Sequence, residues 1–188
     1  MALAYKWVEK DEFEAVYKAI ATKAFDLGNY FIELEPALTA RERQKRKKAS
    51  TRAHPLSLVV YDKKKPVAFC HSTIGDTGDM FMRLSVVLRA YRRKGIYANM
   101  LKRMVARARE EGCVKIISNH QVTNNGILIA KLQQGFTIGG MQLAPDVGLL
   151  VQLVYFTNPT VDKIHRFRVG AAKLDRRTAK KLKTNPLR

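Results

Sequence analysis

The change of apolar period between residues 80 and 108 constrains this chain more than any other feature. Met80, Met82, Leu84, Val86 and Leu88 alternate with their neighbours, the period-two pattern of a strand with one buried face. Ile96, Met100, Leu101, Met104, Val105 and Ala108 then recur along one helix face, up to a stop at Gly112. The junction between them holds Arg92, Arg93, Lys94 and Gly95. A helix that starts there turns its free backbone amides and its positive dipole end toward the junction. Gly95 lets the backbone approach an anion closely, and three adjacent cations add charge. The stretch from Arg92 through Ile96 to Tyr97 therefore reads as a phosphate site, on a basic turn of a kind common enough that its context must decide.

Elsewhere, Leu3 to Val8 suits a short strand, and Phe13, Val16, Tyr17, Ile20 and Ala24 an amphipathic helix with Asp11 and Glu12 in its first turn. Gly28 ends that pattern, and Pro36 opens a second helix that runs into a basic stretch ending near Ala53. Leu56 to Tyr61 and Val67 to Ile74 read as a hairpin. Beyond the junction, Cys113 to Ser118 is a fifth strand, and Asn124 or Thr123 caps a short helix through Gln134. Phe136 to Leu143 and Gly148 to Phe156 complete the strands. The order predicts an α+β, or mixed α/β, single domain over residues 1–156, followed by a basic tail over 157–188.

Charge supports that division. The 188-residue chain carries a formal +19, concentrated in two segments. Residues 39–52 hold seven Lys and Arg against Glu42, a net +6, and residues 157–188 hold ten against Asp162 and Asp175, a net +8. Polyanions are the partners such segments suit, although solvated basic faces also keep proteins soluble. Two cysteines with no CxxC signal neither a disulfide framework nor a zinc site. No charge-free apolar run reaches the roughly 18 residues of a membrane span. Lys6, Glu9, Lys10 and Asp11 interrupt the start before a signal-peptide core. The expectation is a soluble, cytoplasmic protein without a metal.

With the element order in place, residues 3 to 156 resemble the GNAT superfamily of acyl-CoA-dependent N-acetyltransferases. The family's pyrophosphate loop runs Arg or Gln, two residues, Gly, one residue, then Gly or Ala; Arg92, Gly95 and Tyr97 stand at those places, Tyr97 replacing the small residue. Asn124 matches an asparagine that the family often has near the pantetheine arm, and Gly135 with Phe136 matches its frequent Gly-Phe. The resemblance implies a central, mostly antiparallel twisted sheet of about seven strands flanked by about four helices. It also implies acetyl-CoA as co-substrate, its pyrophosphate on the amides of residues 93–97. Backbone amides of Val86 and Val87 would meet the acyl arm where their strand splays from the next.

Acetyl transfer needs a donor for the developing oxyanion, a base for the ammonium and an acid for the thiolate. Where the family often has a tyrosine acid, four residues before the Gly of Gly-Phe, this chain has Lys131; where a glutamate base is frequent, it has Asn119. His71 and His120 are the substitutes to weigh, with Asp76 and Asp79 behind them. Tyr91, Tyr97 and Tyr155 could donate a proton, though packing roles are the commoner fate of such aromatics. Cys70 and Cys113 read as core residues. Two functions follow: an N-acetyltransferase with unusual catalytic positions, or a GNAT-fold module without turnover, for example in a phage particle. The module would contact nucleic acid or an acidic protein through residues 41–52 and 163–188.

Overall fold

In the computed structural model, which describes residues 2–24, 39–41, 44, 53–145, 147–181 and 183, the chain forms seven strands. They are β1 (Leu3–Val8), β2 (His54–Asp62), β3 (Lys65–Ile74), β4 (Met80–Val87), β5 (Lys115–Gln121), β6 (Thr137–Ala144) and β7 (Gly148–Phe156). Five α-helices have both ends within the described residues: α1 (Lys10–Ala24), α2 (Ile96–Glu110), α3 (Asn125–Gln133), α4 (Pro159–Arg168) and α5 (Arg176–Lys181). The strands join one sheet in the order β1-β2-β3-β4-β5-β7-β6, antiparallel throughout except between β4 and β5. This is the mixed α/β arrangement that the element order predicts, with the mostly antiparallel seven-stranded sheet that the resemblance implies.

Both faces of the sheet are covered, which is why β2 and β3 carry near-continuous apolar runs rather than clean alternation. On one face Leu58, Ala68, Cys70 and Met80 pack beneath Met100, Leu101 and Met104 of α2. On the other, Val59, Phe69 and Val86 pack against Phe13, Val16 and Ile20 of α1. Burying each such large side chain stabilises the fold by roughly 1.5–3 kcal/mol. A stretch of β2 therefore cannot slip by one residue without exchanging its two cores.

One expectation about β4 fails. Met80, Met82, Leu84, Val86 and Leu88 do not share a face, because β4 shifts register against β3 at Arg83: His71 pairs with Leu84 whereas Ser72 pairs with Met82. One extra residue in a strand inverts the parity of everything after it. Met80 and Met82 thus join the core under α2, while Leu84, Val86 and Leu88 join the core under α1. The bulge lies just past the point where β4 parts from β5. Their parallel ladder consists of Met80↔Ile116 and Phe81↔Ile117 alone, and past those pairs the two strands part into a wedge.

Other elements differ from expectation in detail. β5 starts at Lys115 and runs to Gln121, so His120 lies within the strand rather than just after it. Asn124 precedes α3 but makes no side-chain cap. Of the helix expected from Pro36, Ala40, Arg41 and Gln44 are helical, and the remainder, with most of the basic stretch 41–52, lies outside the described residues. Within the basic segment after Phe156, Pro159–Arg168 and Arg176–Lys181 are helical. Asn158 Oδ1 accepts from the amides of Thr160 and Val161, with Pro159 opening α4, as an N-cap should. Thr157 Oγ1 donates to the carbonyls of Cys113 and Val114, and Leu174 and Ala179 are buried. Among the described residues no helix is long and apolar enough to cross a membrane.

Candidate functional site

The junction between β4 and α2 is built by two residues in the left-handed region. Arg93 has φ 60° and Gly95, at the N-cap of α2, has φ 73°. The first backbone bond of the helix is Asn99 N–H to the Gly95 carbonyl, and no side chain caps this end. The amides of Ile96, Tyr97 and Ala98 are thus left without intrahelical acceptors, at the positive end of a 15-residue helix. Arg92 does not point away with its neighbours. Its Nε donates to the Val87 carbonyl at 3.1 Å and a terminal nitrogen to the Ala24 carbonyl at 3.4 Å, tying the loop to the strand before it. Lys94 sits over the Tyr91 ring at 5.3 Å, and Arg93 is exposed.

From this helix start a cleft of about 620 Å³ runs back along β4. Its walls are the 92–98 loop and helix start, Ser85, Val86 and Val87 of β4, and Asn124, Gly126, Ile127 and Ala130 of α3. All nine cofactor-site residues named from the sequence fall at or beside this one loop and cleft, Lys94 being the one that does not line it. The two ends differ chemically: cations and free amides at the α2 start, small and apolar side chains toward the wedge. An elongated ligand with an anionic end and a neutral arm matches that gradient.

At the apex of the wedge stands Lys131, which is fully buried. Its Nζ donates to Ser118 Oγ at 2.5 Å, approaches Met82 Sδ at 3.4 Å and lies 4.6 Å from the centre of the Phe136 ring. Met82 and Ser118 are the residues that follow the last β4–β5 pair, so the ammonium touches side chains of both strands where their ladder ends. Burial pulls its pKa down to about 7, with Cys70 acting in the opposite sense. His120 Nε2 lies 3.1 Å from the same Ser118 hydroxyl. Burial first, and then the Lys131 charge, push His120 down to about 3, which leaves it neutral and a poor base.

His71 is not part of this group. It faces the other core, its ring stacked on Phe13 at 4.5 Å and its Nδ1 2.9 Å from Ser57 Oγ, beside a separate cavity of about 370 Å³. Asn119 also points away from Ser118 along the strand, donating to Gln142 at 2.9 Å. Asp79 is paired with Lys115 at 3.1 Å. The Tyr91 hydroxyl donates to Asp62 and that of Tyr155 accepts from Arg109, so both serve packing and tethering. Tyr97 lines the cleft with its hydroxyl buried beside Ser85, and burial holds its pKa far above the ordinary phenol value. Cys70 and Cys113 are buried thiols raised by that burial. Among the described residues no three His, Cys, Asp or Glu side chains gather as a metal site.

Sequence reasoning missed Ser118, Ser85 and Met82. Ser85 Oγ donates to Cys70 Sγ at 3.3 Å, on the face that the Arg83 bulge turns toward α2. Nothing local marks a serine or methionine as a neighbour of a buried lysine; the pairing of β4 and β5 does.

Comparison with known proteins agrees with this architecture. A model of the acetyltransferase (GNAT) family matches residues 14–136. No curated protein matches the chain. Among solved structures, the ribosomal-protein-S18-alanine N-acetyltransferase of Escherichia coli is similar with TM-score 0.62 at 12% identity, over 84% of this chain and 95% of that one. The yncA protein of Salmonella typhimurium, solved with its cofactor acetyl-CoA, gives 0.63 at 14% identity over 84% and 95%. The IAA acetyltransferase of Bacillus cereus gives 0.61 at 15% identity over 82% and 99%. At such identities the likeness is one of fold.

Proposed function

The chain belongs to the acetyltransferase (GNAT) family, and from that membership we propose that it is an N-acetyltransferase that takes acetyl-CoA into the cleft along β4 and passes the acetyl group to an amine. The observation that carries this reading is the continuity of the cleft from the uncapped start of α2 along Val87, Val86 and Ser85 of β4, past the point where β4 has lost its β5 partner. The pyrophosphate is assigned to the amides of residues 93–97, with Arg93 and Lys94 supplying charge. The pantetheine arm is assigned to the strip between Val86, Val87 and Asn124, where β4 is paired with β3 on one side and has no β5 partner on the other.

The test is calorimetry with acetyl-CoA and CoA on the wild-type protein, followed by a search for acetylated amines when acetyl-CoA is supplied. Binding of both, and loss of acetyl-CoA on addition of an amine, is the expected result. Absence of affinity for either would overturn the cofactor assignment.

A second reading adds a polyanion contact. Arg168, Lys173, Arg176, Arg177 and Lys180 are exposed on and around α4 and α5, whereas Lys163 and Arg166 are paired with Asp175 and Asp162. The exposed group suits a nucleic acid or an acidic protein as partner. Binding without any acetyl transfer would favour the module over the enzyme.

A further inference from the structure

Beyond its two basic segments, the positive charge of this protein gathers at one place. Outside residues 39–52 and 157–188 the chain nets +5, and ten residues, 62–65 and 89–94, hold +6, which leaves the rest at a net −1. The fold brings these two stretches together. The β2–β3 hairpin turns through Lys63 and Lys64, with Asp62 paired to Lys65. The β4–α2 loop lies beside it, because β4 pairs with β3 as far as Ala68↔Val87 and the Leu88 N–H then donates to the Val67 carbonyl. The Tyr91 hydroxyl donates to Asp62 at 2.9 Å and joins the two loops, so it engages the one carboxylate of these ten residues. Lys63, Lys64, Lys65, Arg89, Arg93 and Lys94 are exposed, and none of them joins an ion pair among the described residues.

Two of these cations hold an unfavourable backbone. Lys63 has φ 54° and Arg93 φ 60°, and with Lys183 they are the non-glycine residues at positive φ among the described residues. Glycine, asparagine or aspartate ordinarily takes the first place of a two-residue hairpin loop with such a φ. Charge at the tips of both loops is therefore kept against local preference, as where strain accompanies function.

We propose that this rim is a nucleic-acid contact, which holds the phosphates of a double strand without reading its bases. Lys63, Lys64, Lys65 and Arg89 lie outside the lining of the cofactor cleft, so a ligand within that cleft does not account for them. The rim has no large exposed apolar side chain, the kind of anchor on which protein partners dock; those of the described residues, Trp7 and Ile138 among them, lie elsewhere. Bases of a single strand find no free ring to stack on, since Tyr91 carries Lys94 over its ring, is tied to Asp62 and packs against the core under α2. Cations on long stems at two neighbouring loop tips suit a rigid row of phosphates instead. The contact is independent of the acetyl-CoA reading and of the charges on α4 and α5.

The test is fluorescence anisotropy of a short labelled DNA duplex of mixed sequence with the full chain, over a series of salt concentrations. In the wild type, log affinity should fall linearly with log salt. Combining Lys63→Gln, Lys64→Gln and Lys65→Gln should lower that slope by about 2–3, near 0.9 for each phosphate no longer neutralised, and weaken binding at low salt by about 10-fold or more. Acetyl-CoA affinity, read by calorimetry, should be the same in both proteins. If neither binds acetyl-CoA while the duplex slope shifts, the cofactor reading falls and the rim stands. Failure of the wild type to bind the duplex at low salt overturns the proposal, and so does an unchanged slope in the variant, which would leave the duplex to other charges such as those of α5. Loss of acetyl-CoA affinity with the slope unmoved assigns the lysines to the cofactor and overturns it too. Binding of polyglutamate in place of the duplex, through the same three lysines, makes the rim a contact for acidic protein and overturns it as well. Should the hairpin variant fail to fold, Lys64→Gln combined with Arg89→Gln, one change in each loop, decides: the slope should fall by about 2, and an unmoved slope there overturns the proposal.

Discussion

Lys131 Nζ and Ser118 Oγ, 2.5 Å apart, meet where the β4–β5 ladder ends, against Met82 and Phe136 of the core under α2. That placement has a consequence for stability. The unfolded chain keeps the lysine proton up to an ordinary pKa, the folded chain releases it at about 7. Between those values the unfolded state binds more protons, so stability rises as pH increases from about 7 toward 10 and is flat below 7 for this group. Lys131→Met should remove that slope and raise stability at pH 7 by about 1–4 kcal/mol, as replacing a buried charge by an apolar group of similar volume often does. Chemical denaturation at several pH values measures both. A slope in the variant equal to that of the wild type would show that Lys131 is not the group responsible.

Gly95 carries the second prediction. At φ 73° a β-branched residue is strained whatever the space around it, although among the described residues the nearest atom to an added Cβ is Asn99 Nδ2 at 4.0 Å. The strain, about 1–2 kcal/mol, falls on the turn that presents the amides of Ile96 and Tyr97. Gly95→Val should therefore weaken CoA and acetyl-CoA about 10-fold by calorimetry while the sheet keeps its folding cooperativity. Equal affinity would remove the pyrophosphate from this loop.

These two residues mark what the sequence made legible. Gly95 could be read because a positive φ and a helix start both leave local traces, a glycine after a basic turn and a shift of period. Lys131 could be placed on a helix, four residues before Gly135, but its burial could not be read. A lysine in a nine-residue helix ordinarily faces solvent, and here it is turned inward by contacts with Met82 and Ser118, far away in the chain. The bulge at Arg83 was hidden for the same reason. Alternation from Met80 to Leu88 is intact in the sequence, and only the register with β3 inserts a residue that sends Met82 and Leu84 to opposite cores.

Gly139 tests the packing of the far edge. A Cβ there would stand 2.6 Å from Val154 Cγ2, on the β6–β7 pair whose register shifts between Ile138 and Gly140. Gly139→Ala should destabilise the protein by about 1–3 kcal/mol, the usual cost of overpacking, with CoA affinity unchanged because the cleft lies across the sheet at β4. Thermal unfolding of the variant with and without CoA separates the two effects. A loss of CoA affinity at unchanged stability would contradict the independence of these regions.

The C-terminal charge needs a finer instrument than truncation. Removing everything after Phe156 would strip the Thr157 bonds to the Cys113 and Val114 carbonyls and the buried Leu174 and Ala179, so a failure of activity could report a damaged fold. Arg176, Arg177 and Lys180 are exposed, and substituting all three by Gln removes charge while leaving those packing groups in place. If these residues meet phosphates, the slope of log affinity against log salt for DNA or RNA should shrink by about 0.9 for each phosphate no longer neutralised, roughly 2–3 in total. Affinity should converge with that of the wild type at high salt, because counterion release is the contribution that the substitutions remove. Acetyl-CoA binding should not change, since the cations that line the cleft are Arg92 and Arg93, not residues of α5. An unaltered salt slope would take the polyanion away from α5, and an altered acetyl-CoA affinity would mean that this helix and the cofactor cleft are coupled.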